Sequence, residues 1–167
     1  MIVTIGIERL LAHMAWANQA TLEYLGGLPD DALRAFAVNE KWHVGEIAHH
    51  IVEAADFYFY RITNKHCEIP GEKIEEPKVM GDLELLKRQA AAIDNALASC
   101  CKLEDTKVDF VNSKGEKVSR WLSTILSQAV HHATEHRAQI ASALEVKGFQ
   151  PVDLDELDLW AFEIEKG

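Results

Sequence analysis

Apolar positions along the chain recur mostly with the period of a helix that lies on a core. Leu10, Leu11, Met14, Asn18, Thr21, Leu22 and Leu25 share one face, and Gly26, Gly27 and Pro29 stop the pattern, which predicts a first helix. A second stripe of Val44, Ile47, Ala48, Ile51, Ala55, Tyr58 and Ile62 predicts helix two over about Val44 to Ile62. The polar, Gly- and Pro-containing stretch from Thr63 to Lys78 then reads as a long connection. Leu83, Leu86, Ala90, Ile93, Leu97 and Cys100 mark a third helix, with Asp82 beside its positive end. The fourth is expected from a Ser119 cap to about Lys147, with Gly148 at the stop.

The period changes between helices three and four. Val108, Phe110 and Val118 alternate around the turn-rich Asn112-Ser113-Lys114-Gly115, which suggests a small β-hairpin closing one end. After Pro151, the positions Leu154, Leu157, Ala161 and Ile164 suit a short terminal helix lying across the others. No repeat or linker divides the sequence, so residues 1–167 read as a single domain. The expected class is all-α: a four-helix bundle with a short C-terminal helix and a small hairpin before helix four, the long second connection permitting a crossover.

Composition narrows the function classes. With 48% hydrophobic and 26% charged residues, the chain can bury roughly 70% of its unfolded surface, which excludes a disordered or collagen-like protein. Seventeen basic against 27 acidic residues give a net charge of -10 without a Lys/Arg cluster, so neither nucleic acid nor an anionic membrane is an expected partner. The segment Met1 to Ala20 carries Glu8 and Arg9 within its apolar pattern and reads as mature structure, not a secretory signal. Three cysteines, Cys67 and the adjacent Cys100 and Cys101, fit neither a disulfide framework nor a zinc knot, and a cytoplasmic location is expected. Cys100 and Cys101 are most simply packing residues, and Trp16, Trp42, Trp121 and Trp160 are expected in the core.

The eight histidines carry the candidate chemistry. His132 and His136 are four apart and project from one helix face, which also carries Ile125, Ala129, Ile140 and Ala143. His50 is on or beside the buried stripe of helix two and supplies a third ring, while its neighbour His49 points elsewhere. A metal is the most economical partner for three inward imidazoles, and bundle cores are regular places for such sites. A pair of histidines four apart also fits two hydrogen-bonded or surface rings, and on spacing alone that reading stands beside the metal. His13, His43, His49, His66 and His131 read as hydrogen-bonding, capping or solvated residues.

The sequence resembles the DinB-like proteins over nearly its whole length. The likeness is carried by Leu10-Leu11-Ala12-His13-Met14-Ala15-Trp16-Ala17-Asn18, His50-Ile51-Val52, and His132-Ala133-Thr134-Glu135-His136-Arg137-Ala138-Gln139-Ile140. It also includes the closing Gly148-Phe149-Gln150-Pro151 followed by Leu154-Asp155. This resemblance implies a four-helix bundle, commonly a homodimer, with a divalent metal, often nickel or zinc, on His50, His132 and His136. Two positions depart from the family pattern. Ala55 stands where an acidic residue is frequent, with Glu53 and Asp56 close by, and Glu135 stands where a second His often precedes the last ligand.

Three neutral imidazoles leave a coordination position for water or a small-molecule substrate. The expected function is therefore a divalent-metal-binding protein acting as a metal-dependent enzyme, either a hydrolase or, as the resemblance implies, a transferase of low-molecular-weight thiols such as bacillithiol or mycothiol. The alternative is a non-catalytic metal-binding or stress-response bundle. Gln139, one turn beyond His136, is a candidate for orienting a ligand, and Glu53, Asp56 and Glu135 are the candidates for a fourth ligand that closes the site. The chain has no nucleophile elbow, phosphate-binding Gly loop or dinucleotide fingerprint.

Overall fold

The structure, a computed structural model, describes residues 6–167, so the first five residues of the amino-terminal stretch read above lie outside it. Four long helices follow the predicted stripes: α1 (Glu8–Gly26), α2 (Val44–Thr63), α3 (Leu83–Ser99) and α4 (Leu122–Val146). A hairpin of β1 (Lys107–Val111) and β2 (Lys117–Trp121) precedes α4, and α5 (Leu159–Lys166) closes the chain. The stripes face inward as expected, except that Leu10, at the start of the first stripe, is exposed. Leu11, Met14, Leu25, Ile47, Leu86, Ile93, Leu126, Ile140 and Leu144 are almost wholly buried in one core.

Helix ends have local causes. His43 caps α2 by accepting from the Glu46 N–H, and Asn64 ends the same helix in the left-handed conformation (φ 58°). Gly148, at φ 79°, ends α4 where its amide turns back to Glu145. The expected Ser119 cap is corrected: Ser119 pairs with Asp109 inside the hairpin, so it is extended and cannot cap. Asp105 takes over that role. Its carboxylate accepts from the backbone N–H and the hydroxyl of Ser123, both at 2.9 Å.

The packing order around the bundle is α1–α3–α2–α4, with each helix touching two neighbours. Consecutive helices α1 and α2 therefore face across a diagonal, as do α3 and α4. Lys87 contacts Glu23 and Cys101 contacts Glu8, so α3 runs antiparallel to α1. His50 meets His132 and His136, whereas Tyr58 meets His132, so α4 runs antiparallel to α2. Asn18 meets Arg137 and Tyr24 meets Gln150, so α1 and α4 are parallel.

It follows that α2 and α3 are parallel, and residues 64–82 must return along the bundle as a strap. Polar side chains hold this strap down. Asp56 accepts from the Cys67 N–H at 2.8 Å and pairs with His66 Nδ1 at 2.5 Å. Gln89, itself buried, donates to the carbonyls of Pro70 and Lys73.

The terminal helix departs from its predicted face. Phe162 is buried against His13 and Trp16, and His13 Nε2 donates to the Leu157 carbonyl at 2.7 Å. Ile164 is 88% and Trp160 78% exposed, so neither is a core residue. Trp121 is also corrected, with its ring on the surface beside Lys107. No helix among the described residues is long and apolar enough to cross a membrane.

Candidate metal centre

Because α2 and α4 are neighbours, His50 comes into contact with the two histidines of α4. His50 Nε2 is 3.2 Å from His132 Nε2, and His136 Nε2 is 3.0 Å from the same atom. One nitrogen from each of the three residues falls within 4.8 Å of the others. His136 is 9% exposed, and His50 and His132 are half-buried.

The tautomer of His136 follows from its neighbours. The Trp42 indole N–H, which can only donate, is 2.8 Å from one end of the Gln139 amide, so that end is the carbonyl oxygen Oε1. His136 Nδ1 is 2.8 Å from the same oxygen and must donate as well. Its proton is therefore on Nδ1, and Nε2 turns a lone pair toward His50 and His132. Carbonyl support of this kind is how proteins orient imidazole ligands.

Trp42 is held by a turn in which its own N–H donates to the Asn39 carbonyl. Its ring stands edge-on to His50 and His136, with centroids 5.1 and 5.4 Å apart. The expectation that Trp42 is a simple core residue is thus corrected. It is half-buried, covers the histidines and, with Gln139, Ile47 and Ala143, lines an apolar pocket of ≈ 360 Å³.

Electrostatics favours neutral rings. Burial is the main cause that lowers the His132 pKa to about 4, followed by electrostatic interaction with His136, His50 and Arg61. Burial also lowers His50, helped by His136 and opposed by Glu53 and Glu46. Two nearby imidazoles are thus held in the form that ligates metals. The spacing suits a cation too, since ligands 2.0–2.1 Å from a tetrahedral metal are about 3.3 Å apart. The donor set therefore fits a divalent ion.

The candidate fourth ligands do not join this set. Among the described residues, the nitrogen cluster holds only His50, His132 and His136, without Glu53, Asp56 or Glu135. Asp56 is committed to His66 and Cys67 in the strap. His49 points away, with Nδ1 buried and 3.9 Å from the Glu46 carboxylate, and His131 is exposed. Gln139, a candidate for orienting a ligand, holds the His136 ring in place. Removing this support by Gln139→Ala should weaken zinc binding about 10- to 100-fold and change Trp42 fluorescence. Unchanged zinc affinity in a competition titration would contradict it.

Sequence reasoning missed a buried polar network behind the site. Asn18 Nδ2 donates to Asp94 at 3.0 Å, while Arg137 Nη1 donates to Asn18 Oδ1 at 2.7 Å and Nη2 to Thr134 at 3.0 Å. Asp94 and Arg137 are 1% and 3% exposed. Burial is the main cause that raises Asp94 to about 6 and lowers Arg137 to about 10. The signal was present: Asp94 and Arg137 each interrupt an apolar stripe, and Asn18 sits within the first helix's own stripe.

A family model described as the DinB family matches residues 1–166. Among solved structures, the crystal structure of a DinB-like protein from Bacillus cereus ATCC 10987 has a TM-score of 0.66 and 22% sequence identity. The match covers 89% of this chain and 97% of that one, and at this identity it shows a shared fold. No curated protein matches.

Proposed function

The chain belongs to the DinB family, and from that premise and the convergence of three imidazoles we propose that it holds one divalent metal, nickel or zinc, between His50, His132 and His136. The observation that carries this reading is the meeting of three ring nitrogens, one of them fixed as a lone pair by Gln139 and Trp42. A divalent ion there supplies Lewis acidity and lowers the pKa of a water or thiol that reaches it. The chain's own residues supply the setting: burial keeps His132 and His50 neutral, Gln139 fixes the His136 ring, and Trp42 covers one side.

The same reading makes the protein a metal-dependent enzyme, either a hydrolase or a low-molecular-weight thiol transferase acting on a small molecule. Support comes from a donor set of three residues among those described, next to the pocket that Trp42 and Gln139 line, whereas a site built for stability alone gains little from an unfilled position. Metal-loaded protein should turn over at least one member of a panel of esters, amides and electrophile-plus-thiol pairs, with activity lost in His132→Ala. No turnover with full metal would instead support the non-catalytic metal-binding bundle. A homodimer in the cytoplasm completes the proposal, and a monomeric mass by light scattering at micromolar concentration would count against the dimer.

A further inference from the structure

Past Tyr58, on the hairpin side of the histidines, a second cleft of ≈ 850 Å³ lies between the end of α2 and β1. Its walls include the rings of Phe57, Tyr60 and Phe110, together with Arg61. Arg61 is half-buried, and its guanidinium carbon lies 5.4 Å from the Tyr58 ring centroid and 5.2 Å from that of Phe110. Two aromatic faces thus hold the cation in place. No carboxylate among the described residues pairs with it, although Asp109 lines the same cleft.

A cation in the last turn of a helix is favourable simply because of the helix dipole, and Arg61 is in the last turn of α2. That role leaves the side chain free in solvent. Here the guanidinium is instead packed on two aromatic rings in the wall of a cleft, one ring away from His132. The Tyr58 ring that it touches has its centroid 5.8 Å from that of His132. A fixed guanidinium with free N–H donors matches a carboxylate in shape and charge. The surrounding rings match an apolar body.

We propose that this cleft is an organic-acid site in its own right, one aromatic ring, Tyr58, away from the metal centre. Arg61 fixes the carboxylate of a small aromatic or alkyl acid, and Phe57, Tyr60 and Phe110 take its apolar body. This assignment makes Arg61 the anion-binding residue of that site, and its test is separable from that of the metal reading.

The test is an NMR titration of benzoate, and of uncharged benzyl alcohol, into zinc-loaded wild type, Arg61→Gln and Arg61→Lys, with metal content measured on each sample. Benzoate should bind wild type about tenfold more tightly than Arg61→Gln, as expected for one charge-assisted pair. Arg61→Lys should fall between them, and benzyl alcohol should bind all three alike, which also reports an intact cleft. Benzoate that ligates the metal without Arg61 would bind wild type and Arg61→Gln equally, and that result, with full metal in both, overturns the proposal. The metal-free wild type separates the two readings. If the protein takes up no zinc yet binds benzoate through Arg61, the metal reading fails and the site's anion chemistry stands.

Discussion

Replacing His132 with alanine should weaken divalent-metal binding about a thousandfold or more, because one of three imidazole ligands is lost outright. His50→Ala and His136→Ala should behave alike. His49→Ala and His131→Ala should retain the metal, since His49 points toward Glu46 and His131 toward solvent. Equal retention across all five variants, measured by competition with a chromophoric chelator, would remove the assignment. Acid should also release the metal, since only neutral imidazole ligates. The ring of His132, held near 4, takes up a proton well below the usual 6.5, so proton competition there is weak at pH 6 and grows as the pH falls toward 4. Dialysis that strips the metal only under alkaline conditions would contradict this.

The second large effect is expected behind the site. Asp94→Ala should cost about 3–5 kcal/mol of folding stability, because it leaves the buried Arg137 guanidinium without its countercharge and the Asn18 amide without its acceptor. A shift in the urea transition of less than about 1 kcal/mol would show that Arg137 finds compensation elsewhere. The pH dependence has a defined sign. Asp94, raised to about 6, contributes stability that is fully present below its unfolded value near 3.8 and is lost as pH rises through 6. His132 acts oppositely in metal-free protein: its lowered pKa contributes stability present above 6.5 and lost as pH falls toward 4. Asp94→Asn removes the first slope, so the metal-free variant should lose stability more steeply than wild type between pH 6 and 4.

Helical periodicity made the bundle legible because long amphipathic stripes leave few ways to bury an apolar face. The strap was legible for a similar reason: a polar run between two stripes has no face to bury, and its length allowed the parallel pairing of α2 with α3. Shorter segments carry less of this signal. Eight residues of α5 carry too few repeats to fix a face, so Phe162 went in where Ile164 was expected. Ser favours helix caps, but at Ser119 the strand pairing with Asp109 outweighs that preference.

At the centre, spacing put His132 and His136 on one face, and the stripe of α2 put His50 near the core. Three features needed the fold. Trp42 and Gln139 meet only when the loop before α2 folds against α4, Asn18 joins Asp94 to Arg137 from three different helices, and Arg61 meets Phe110 only across the hairpin. Contacts between distant segments leave no local period to read.

Elemental analysis of the protein purified without an affinity tag tests the central claim most directly. The account predicts one equivalent of a divalent transition metal per chain, retained through desalting at neutral pH and lost in His132→Ala. Wild-type protein that carries no metal and fails to take up one equivalent of zinc or nickel would contradict it.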